Sequence, residues 1–218
     1  MIMKFSAETI GVLKNFSQVN PGIVFKPGSV VKTMHPQKTI MASATVSENF
    51  ESVARIYDLS RFLATLSLFD DPEVEFKEDR FIISSGKNKV SYTYAAESMV
   101  VSPPDKEIKF PDPETTVHVK WKELDTVVKA AGVLKLSEIA FINSEGTISL
   151  SAVDSKNPTA DSYSVAIAEN VSVPNFRMLI KVENLKLMPN DYEVALSTRG
   201  LAFFKSAKVE YFIALEAK

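Results

Sequence analysis

"KVSYTYAAE" (Lys89–Glu97) and "KVEYFIALEA" (Lys208–Ala217) carry Lys, Val, Tyr, Ala and Glu in the same register, although one lies near the middle of the chain and the other at its end. In the first, Val90, Tyr92 and Tyr94 alternate with Ser91 and Thr93, the two-residue period of a half-buried strand. A strand written twice raises the question whether its surroundings are written twice. Upstream, "DPEVEFKEDRFIISSGKNK" lies over "DYEVALSTRGLAFFKSAK", placing Asp71, Glu73 and Val74 on Asp191, Glu193 and Val194. "DLSRFLATL" over "ENLKLMP" sets Arg61 on Lys186 and Phe62–Leu63 on Leu187–Met188. Earlier in each half, "SAETIGVLKNF" lies over "WKELDTVVKAA", with Glu8 on Glu123 and Lys14 on Lys129, and "GIVF" (Gly22–Phe25) lies over "EIAF" (Glu138–Phe141). The chain is therefore two similar halves, each subdivided again into a strand, a helix of two to three turns and short strands.

The helix signals are local. Ser6 with Thr9 opens a helix over Ala7–Val19, which "NPG" (Asn20–Gly22) stops. Asp58 caps a second over Leu59–Leu68, a third spans Lys120–Ala131 up to Gly132, and a short fourth spans Val182–Met188 before Pro189. At 100° per residue the first helix turns Thr9, Val12, Leu13 and Phe16 inward, with Ile10 at the edge. Ala7, Gly11, Lys14, Asn15 and Gln18 face outward. The third repeats the pattern, with Leu124, Val127, Val128 and Ala131 inward and Lys122, Thr126 and Lys129 outward; Trp121 anchors its start. Acids sit mainly in first turns, where they complement the helix dipole. Ile148, Leu150 and Ala152 alternate with Ser149 and Ser151 as a strand. "SMVVSPPDKEIKFPDPE" (Ser98–Glu114) holds four of the 11 prolines, residues that fix φ and donate no hydrogen bond, so it reads as an extended linker. The predicted organisation is an α+β chain with one domain over 1–97, a linker over 98–114 and a second domain over 115–218.

With 218 residues and 45% apolar content the chain suffices for two domains with packed cores. No apolar run reaches the roughly 18 residues of a membrane span, and "MIMKFSAETI" lacks the long apolar core of a signal peptide. The absence of Cys excludes disulfides and thiolate metal sites. These features suit a cytoplasmic protein. A net charge of −2 excludes coating of nucleic acid by bulk electrostatics, which needs many Lys/Arg–phosphate contacts. Yet basic residues recur at matched repeat positions, Lys14 with Lys129 and Arg61 with Lys186, which marks them as candidates for contact with an anion.

Enzyme chemistry finds no signature. His35 and His118 stand alone, without the HxH or HExxH spacing of metal ligands. Asp70–Asp71 and Glu78–Asp79 read as turn acids, no GxSxG is present, and the seven glycines never form a phosphate-binding GxxxxGK[ST]. No cofactor, metal or catalytic residue is expected.

"IYDLSRFLATLSLFDD", "FRMLIKVENLKLMPNDYEVAL" and "VEYFIALEA" resemble the sliding clamps of T4-like bacteriophages, the processivity factors of the phage DNA polymerase, and the similarity runs over essentially the whole chain. The resemblance implies two clamp-type domains, each of two βαβββ units, with helices on one side of antiparallel sheets. Three chains would close head-to-tail into a ring around duplex DNA with helices lining the hole. It implies DNA-facing Lys14, Arg61, Lys120, Lys122, Lys129, Lys181 and Lys186. Subunits would join through Val90, Tyr92 and Tyr94 of one chain and Tyr163, Val165 and Ile167 of the next. A partner-peptide pocket is implied near the linker, at Met99, Val100, Val101, Pro189 and Leu215. The implied partners are duplex DNA held topologically, further copies of the chain as a homotrimer, the replicative polymerase, a separate ATP-driven clamp loader and late-transcription factors. The competing reading of the residues is a pseudo-symmetric oligomeric scaffold that does not encircle DNA.

Overall fold

The computed structural model describes residues 1–106, 108–157 and 159–216. The chain divides into two compact units, Met1–Lys106 and Glu107–Lys218. The first runs β1 (Ile2–Met3), α1 (Ala7–Val19), β2 (Ile23–Phe25), β3 (Gly28–Met34), β4 (Ile40–Phe50), β5 (Ala54–Ile56), α2 (Leu59–Leu66), β6 (Glu73–Phe76), β7 (Arg80–Ser85) and β8 (Asn88–Thr93). The second runs β9 (Thr115–Val119), α3 (Trp121–Leu134), β10 (Glu138–Ser144), β11 (Thr147–Val153), β12 (Tyr163–Ala168), β13 (Phe176–Lys181), β14 (Tyr192–Ser197), β15 (Leu201–Lys205) and β16 (Val209–Ala214).

Strand order shows the duplication. In the first unit an antiparallel sheet has the order β1-β6-β7-β8; in the second, β9, β14, β15 and β16 succeed one another the same way. The near-identical stretches around Tyr92 and Tyr211 are thus the same strand of the repeat, β8 and β16. Each comes last of a strand that precedes a helix and three that come later. The second unit also holds the antiparallel sheet β12-β11-β10-β13, and the first holds the pairs β3–β4 and β2–β5.

The cores obey the alternation. Phe25 stacks on Phe50 at 4.6 Å in the first unit, and Phe81 meets Phe62 at 5.0 Å and Phe76 at 4.9 Å. Phe204 lies against Phe141 and Tyr192 in the second. Aromatic pairs at these separations add to the area they bury. α1 buries Thr9, Val12, Leu13, Phe16 and Val19 as its wheel requires. It also buries Asn15, which the wheel places outside. The Ser6 hydroxyl accepts the Thr9 N–H at 3.1 Å and the Asp58 carboxylate accepts the Arg61 N–H at 2.9 Å, the two N-caps expected from sequence.

Four expectations need correction. α2 ends at Leu66, two residues early. α3 passes through Gly132 to Leu134 and stops where Lys135 turns left-handed (φ 57°, ψ 38°). Residues 182–188 form only one 3₁₀ turn, Val182–Asn184, because the Met188 N–H donates to the Tyr211 hydroxyl at 3.1 Å and its carbonyl accepts from Tyr192 at 2.6 Å. Those bonds hold the segment open. Ser151 is buried rather than on a polar face, its hydroxyl 2.8 Å from that of Ser164 on the neighbouring strand.

Candidate functional site

Three groups of surface residues emerge from this scaffold. The first is basic. Lys14 lies mid-way along α1, Lys120 caps α3, and Lys122 and Lys129 lie on the outward face of α3; all four are exposed. Lys129 also pairs with Asp125 one turn earlier at 2.5 Å, an exposed i,i+4 contact that leaves its side chain 73% accessible. Lys181 ends β13 half-buried, 3.4 Å from Glu216, and Lys186 is half-buried in the extended segment after the 3₁₀ turn. Arg61 stands in the first turn of α2, exposed.

The second group is a pair of sheet edges. β8 ends the order β1-β6-β7-β8 and β12 ends β12-β11-β10-β13. An edge strand presents unpaired N–H and C=O groups to any strand that can align with it. Val90, Tyr92 and Tyr94 form the half-buried row of β8 and its extension: Tyr92 packs edge-on against Phe62 at 5.4 Å and donates to the Asp58 carbonyl at 3.0 Å. Tyr94 lies at 4.6 Å from Phe81 and donates to the Lys77 carbonyl at 3.2 Å. Burial pushes the Tyr94 hydroxyl up to about 12, so it stays a neutral donor. On β12, Tyr163 is 37% exposed and Val165 and Ile167 are half-buried. Tyr92 and Tyr94 therefore support their own unit with their side chains, and what the β8 edge leaves open is backbone. Beside β8 lies a cleft of about 400 Å³, lined by Tyr57, Asp58 and Arg61 from the start of α2, by Ser91–Ala96, and by Met99.

The third group is the linker with what it lies on. Met99 and Val101 are 54% and 45% exposed. Val100 is half-buried, and a Cβ on Gly22 would meet its Cγ1 at 3.0 Å, so Gly22 makes room for it. The buried Asn20 carboxamide donates to the carbonyls of Met34 at 2.8 Å and Val101 at 2.9 Å and accepts the Gly22 N–H at 2.9 Å. Lys26 pairs with Asp105. In the second unit Phe110 lies 5.8 Å from Phe203 and 6.4 Å from Phe212, which stack on each other at 4.6 Å. Pro189 is exposed before β14, and Leu215, half-buried after β16, donates its N–H to the Gly200 carbonyl at 2.9 Å. The half-buried trio Phe110, Phe203 and Phe212 escaped the sequence reading. Its signal was present: Phe203 sits between buried Ala202 and Phe204, and Phe212 between buried Tyr211 and Ile213, so alternation places both rings on the open face.

Two of the four acids considered for catalysis are held in ion pairs. Asp71 pairs with Lys4, and Asp79 with Arg80 at 2.6 Å, and the Arg80 guanidinium holds the Asp79 carboxyl below the ordinary carboxylate range. Among the described residues no three His, Cys, Asp or Glu side chains are grouped to hold a metal ion.

Duplicated sheets of this order, with helices packed on them, occur in known proteins. The chain is similar to proliferating cellular nuclear antigen from Entamoeba histolytica (TM-score 0.74, 14% identity, 99% of this chain and 98% of that one). It is also similar to the DNA polymerase III beta chain of Streptococcus pneumoniae (TM-score 0.68, 12% identity, 100% of this chain and 65% of that one). The class the fold defines is the DNA clamp, with antiparallel sheets in an α+β chain. Sequence narrows the class. Residues 6–102 match the family described as DNA polymerase processivity factor, and residues 116–217 the family described as gp45 sliding clamp, C terminal. The sliding clamp of Vibrio phage KVP40 is 32% identical over 221 residues, covering 99% of this chain and 100% of the relative. Those of Escherichia phage RB69 and Enterobacteria phage T4 are 32% and 31% identical over 222 residues, each covering 99% of this chain and 97% of the relative. The chain belongs to the sliding-clamp family of T4-like bacteriophages, the DNA polymerase processivity factors.

Proposed function

We propose that three copies close head-to-tail into a ring around duplex DNA and that enclosure, rather than adhesion, keeps the polymerase on its template. The observation that carries this is the pair of free edges, β8 in the first unit and β12 in the second. Two different edges on one chain make a heterologous contact, which closes when the rotation per subunit divides the circle. Lys14, Lys120, Lys122 and Lys129 face the duplex and centre it through phosphate contacts that read no bases. Few such contacts suit a sliding ring, since tight ones would hinder movement.

The polymerase docks through an apolar peptide beside the linker, where Met99 and Val101 are exposed on the first unit. In this reading 98–114 joins domains 1–97 and 115–218. The ring does no chemistry itself, and a separate ATP-driven loader opens it in the host cytoplasm; the same tracking ring serves late transcription. The test is topological. After loading by the phage loader on nicked circular DNA, the clamp is retained on circles and lost when a restriction enzyme cuts them. Equal retention on circles and linear DNA overturns enclosure and returns the protein to the scaffold reading.

A further inference from the structure

The cleft beside β8 has an occupant on the same chain type. We infer that it receives residues 161–163 of a second copy, with the Tyr163 ring set against Tyr57 and Met99 and the Asp161 carboxylate on Arg61, so that Arg61 is a joint residue rather than a DNA-facing one. This rests on the ring reading and adds to it the chemistry that selects the partner edge.

Register supplies the argument. Side chains directly opposite across two strands lie on the same face of the sheet. On β8 the α2-side row is Val90, Tyr92 and Tyr94, as the Tyr92 contacts with Phe62 and Asp58 show. On β12, against which α3 packs, Val165, Ile167 and Ala168 are half-buried, while Ser164 and Ala166 are exposed. The antiparallel register that sets Tyr92 opposite Val165 and Tyr94 opposite Tyr163 aligns the regular part of β12, which a bulge at Ile167 ends. The Ala95 N–H donates to the Arg55 carbonyl at 2.9 Å and ends the free edge there, so residues 161–162 leave the ladder past Tyr94 and lead Asp161 toward the cleft that Arg61 lines. A parallel arrangement of the same rows would set Tyr163 opposite Val90, four residues or about 14 Å from Tyr94 at roughly 3.4 Å per residue.

Charge agrees with this register. Arg61 and Asp161 are both exposed, and neither makes an ion pair among the described residues. Asp58, the other charge in the cleft, already accepts the Arg61 backbone N–H. Tyr57 and Met99, 57% and 54% exposed, are two of the larger apolar side chains left open on the first unit, and both line the cleft. The cleft therefore offers an apolar wall and one cation, and residues 161–163 bring a ring and one anion.

The experiment measures subunit association by light scattering and sedimentation for the wild type, Arg61→Asp, Asp161→Arg and the double reversal. Each single reversal is expected to weaken association about tenfold or more by placing like charges in the joint, and the double reversal to restore it. Circular dichroism checks the fold, which an exposed substitution leaves intact. Unchanged association in Arg61→Asp, with or without weaker tracking on DNA, overturns the inference and leaves the ring reading standing. A double reversal no better than either single variant also overturns it. A wild type that stays monomeric at every concentration overturns the ring reading, and this inference with it.

Discussion

Glu48 is a carboxylate 8% exposed in the first unit, and its contacts join two elements. It accepts the Ser6 N–H at 2.5 Å and the Thr9 hydroxyl, so a residue of β4 holds the first turn of α1, the helix that carries Lys14. Burial alone would raise its pKa; the hydrogen bonds from Ser6 and Thr9 outweigh that, and the net shift is downward. A lowered folded pKa gives stability that is fully present above the unfolded value near 4.5 and lost as pH falls through the folded one. Glu48→Ala leaves two donors without their acceptor and should cost about 2 kcal/mol in urea unfolding at neutral pH. Glu48→Gln should show a flatter acid limb, its stability converging with the wild type as the medium is acidified. Parallel acid limbs for the two would show that Glu48 does not couple to the proton. None of this was legible in sequence, where Glu48 is one polar residue in an alternating strand and its partner helix lies 39 residues upstream.

At the scale of the element, the helix starts and the end of α1 at Val19 were legible, and the ends of α2 and α3 were not. Ser6 and Asp58 cap through side chains a few residues from the N–H they serve, so a local reading finds them. The end of α3 depends on residues beyond the helix. Gly132 looked like a stop, yet the Leu136 N–H reaches the Ala131 carbonyl at 2.8 Å and the buried Leu136 draws the chain back onto the unit only after Lys135 turns left-handed. Gly132 is then an interior helical glycine with nothing within 4 Å of a Cβ built on it. Gly132→Ala should stabilise the protein by about 1 kcal/mol, since alanine loses less backbone entropy in a helix. Thermal unfolding at neutral pH measures it; a lower midpoint would mean that the chain uses the flexibility of Gly132. The segment 182–188 failed for the opposite reason, its backbone being taken by tyrosines more than twenty residues onward in one case. The aromatic trio was missed likewise, because Phe110, Phe203 and Phe212 come from three segments that only the folded sheet brings together.

The whole molecule carries a net charge of −2, so at long range it repels DNA, and its function must come from where a few cations stand. The repeat made that placement legible: Lys14 and Lys129 were found because two helices of one ancestry keep a cation at one position. The structure refines their roles. Lys129 shares its charge with Asp125, whereas Lys14 and Lys122 are exposed and make no ion pair among the described residues. Lys14 and Lys122 are therefore the more telling pair to reverse. In the proposed ring each chain would turn two cations facing the duplex into two anions, and the ring would carry the change three times. Lys14→Glu with Lys122→Glu should lower the length of DNA copied per binding event severalfold in a reconstituted polymerase and loader assay. The unfolding transition should stay within about 0.5 kcal/mol of the wild type, as for other exposed substitutions away from caps and cores. Raising the salt should narrow the gap, because phosphate contacts weaken with ionic strength while enclosure does not. If the doubly reversed clamp copies as far as the wild type at low salt, the outward faces of α1 and α3 do not meet the duplex, and the hole must be lined by another surface.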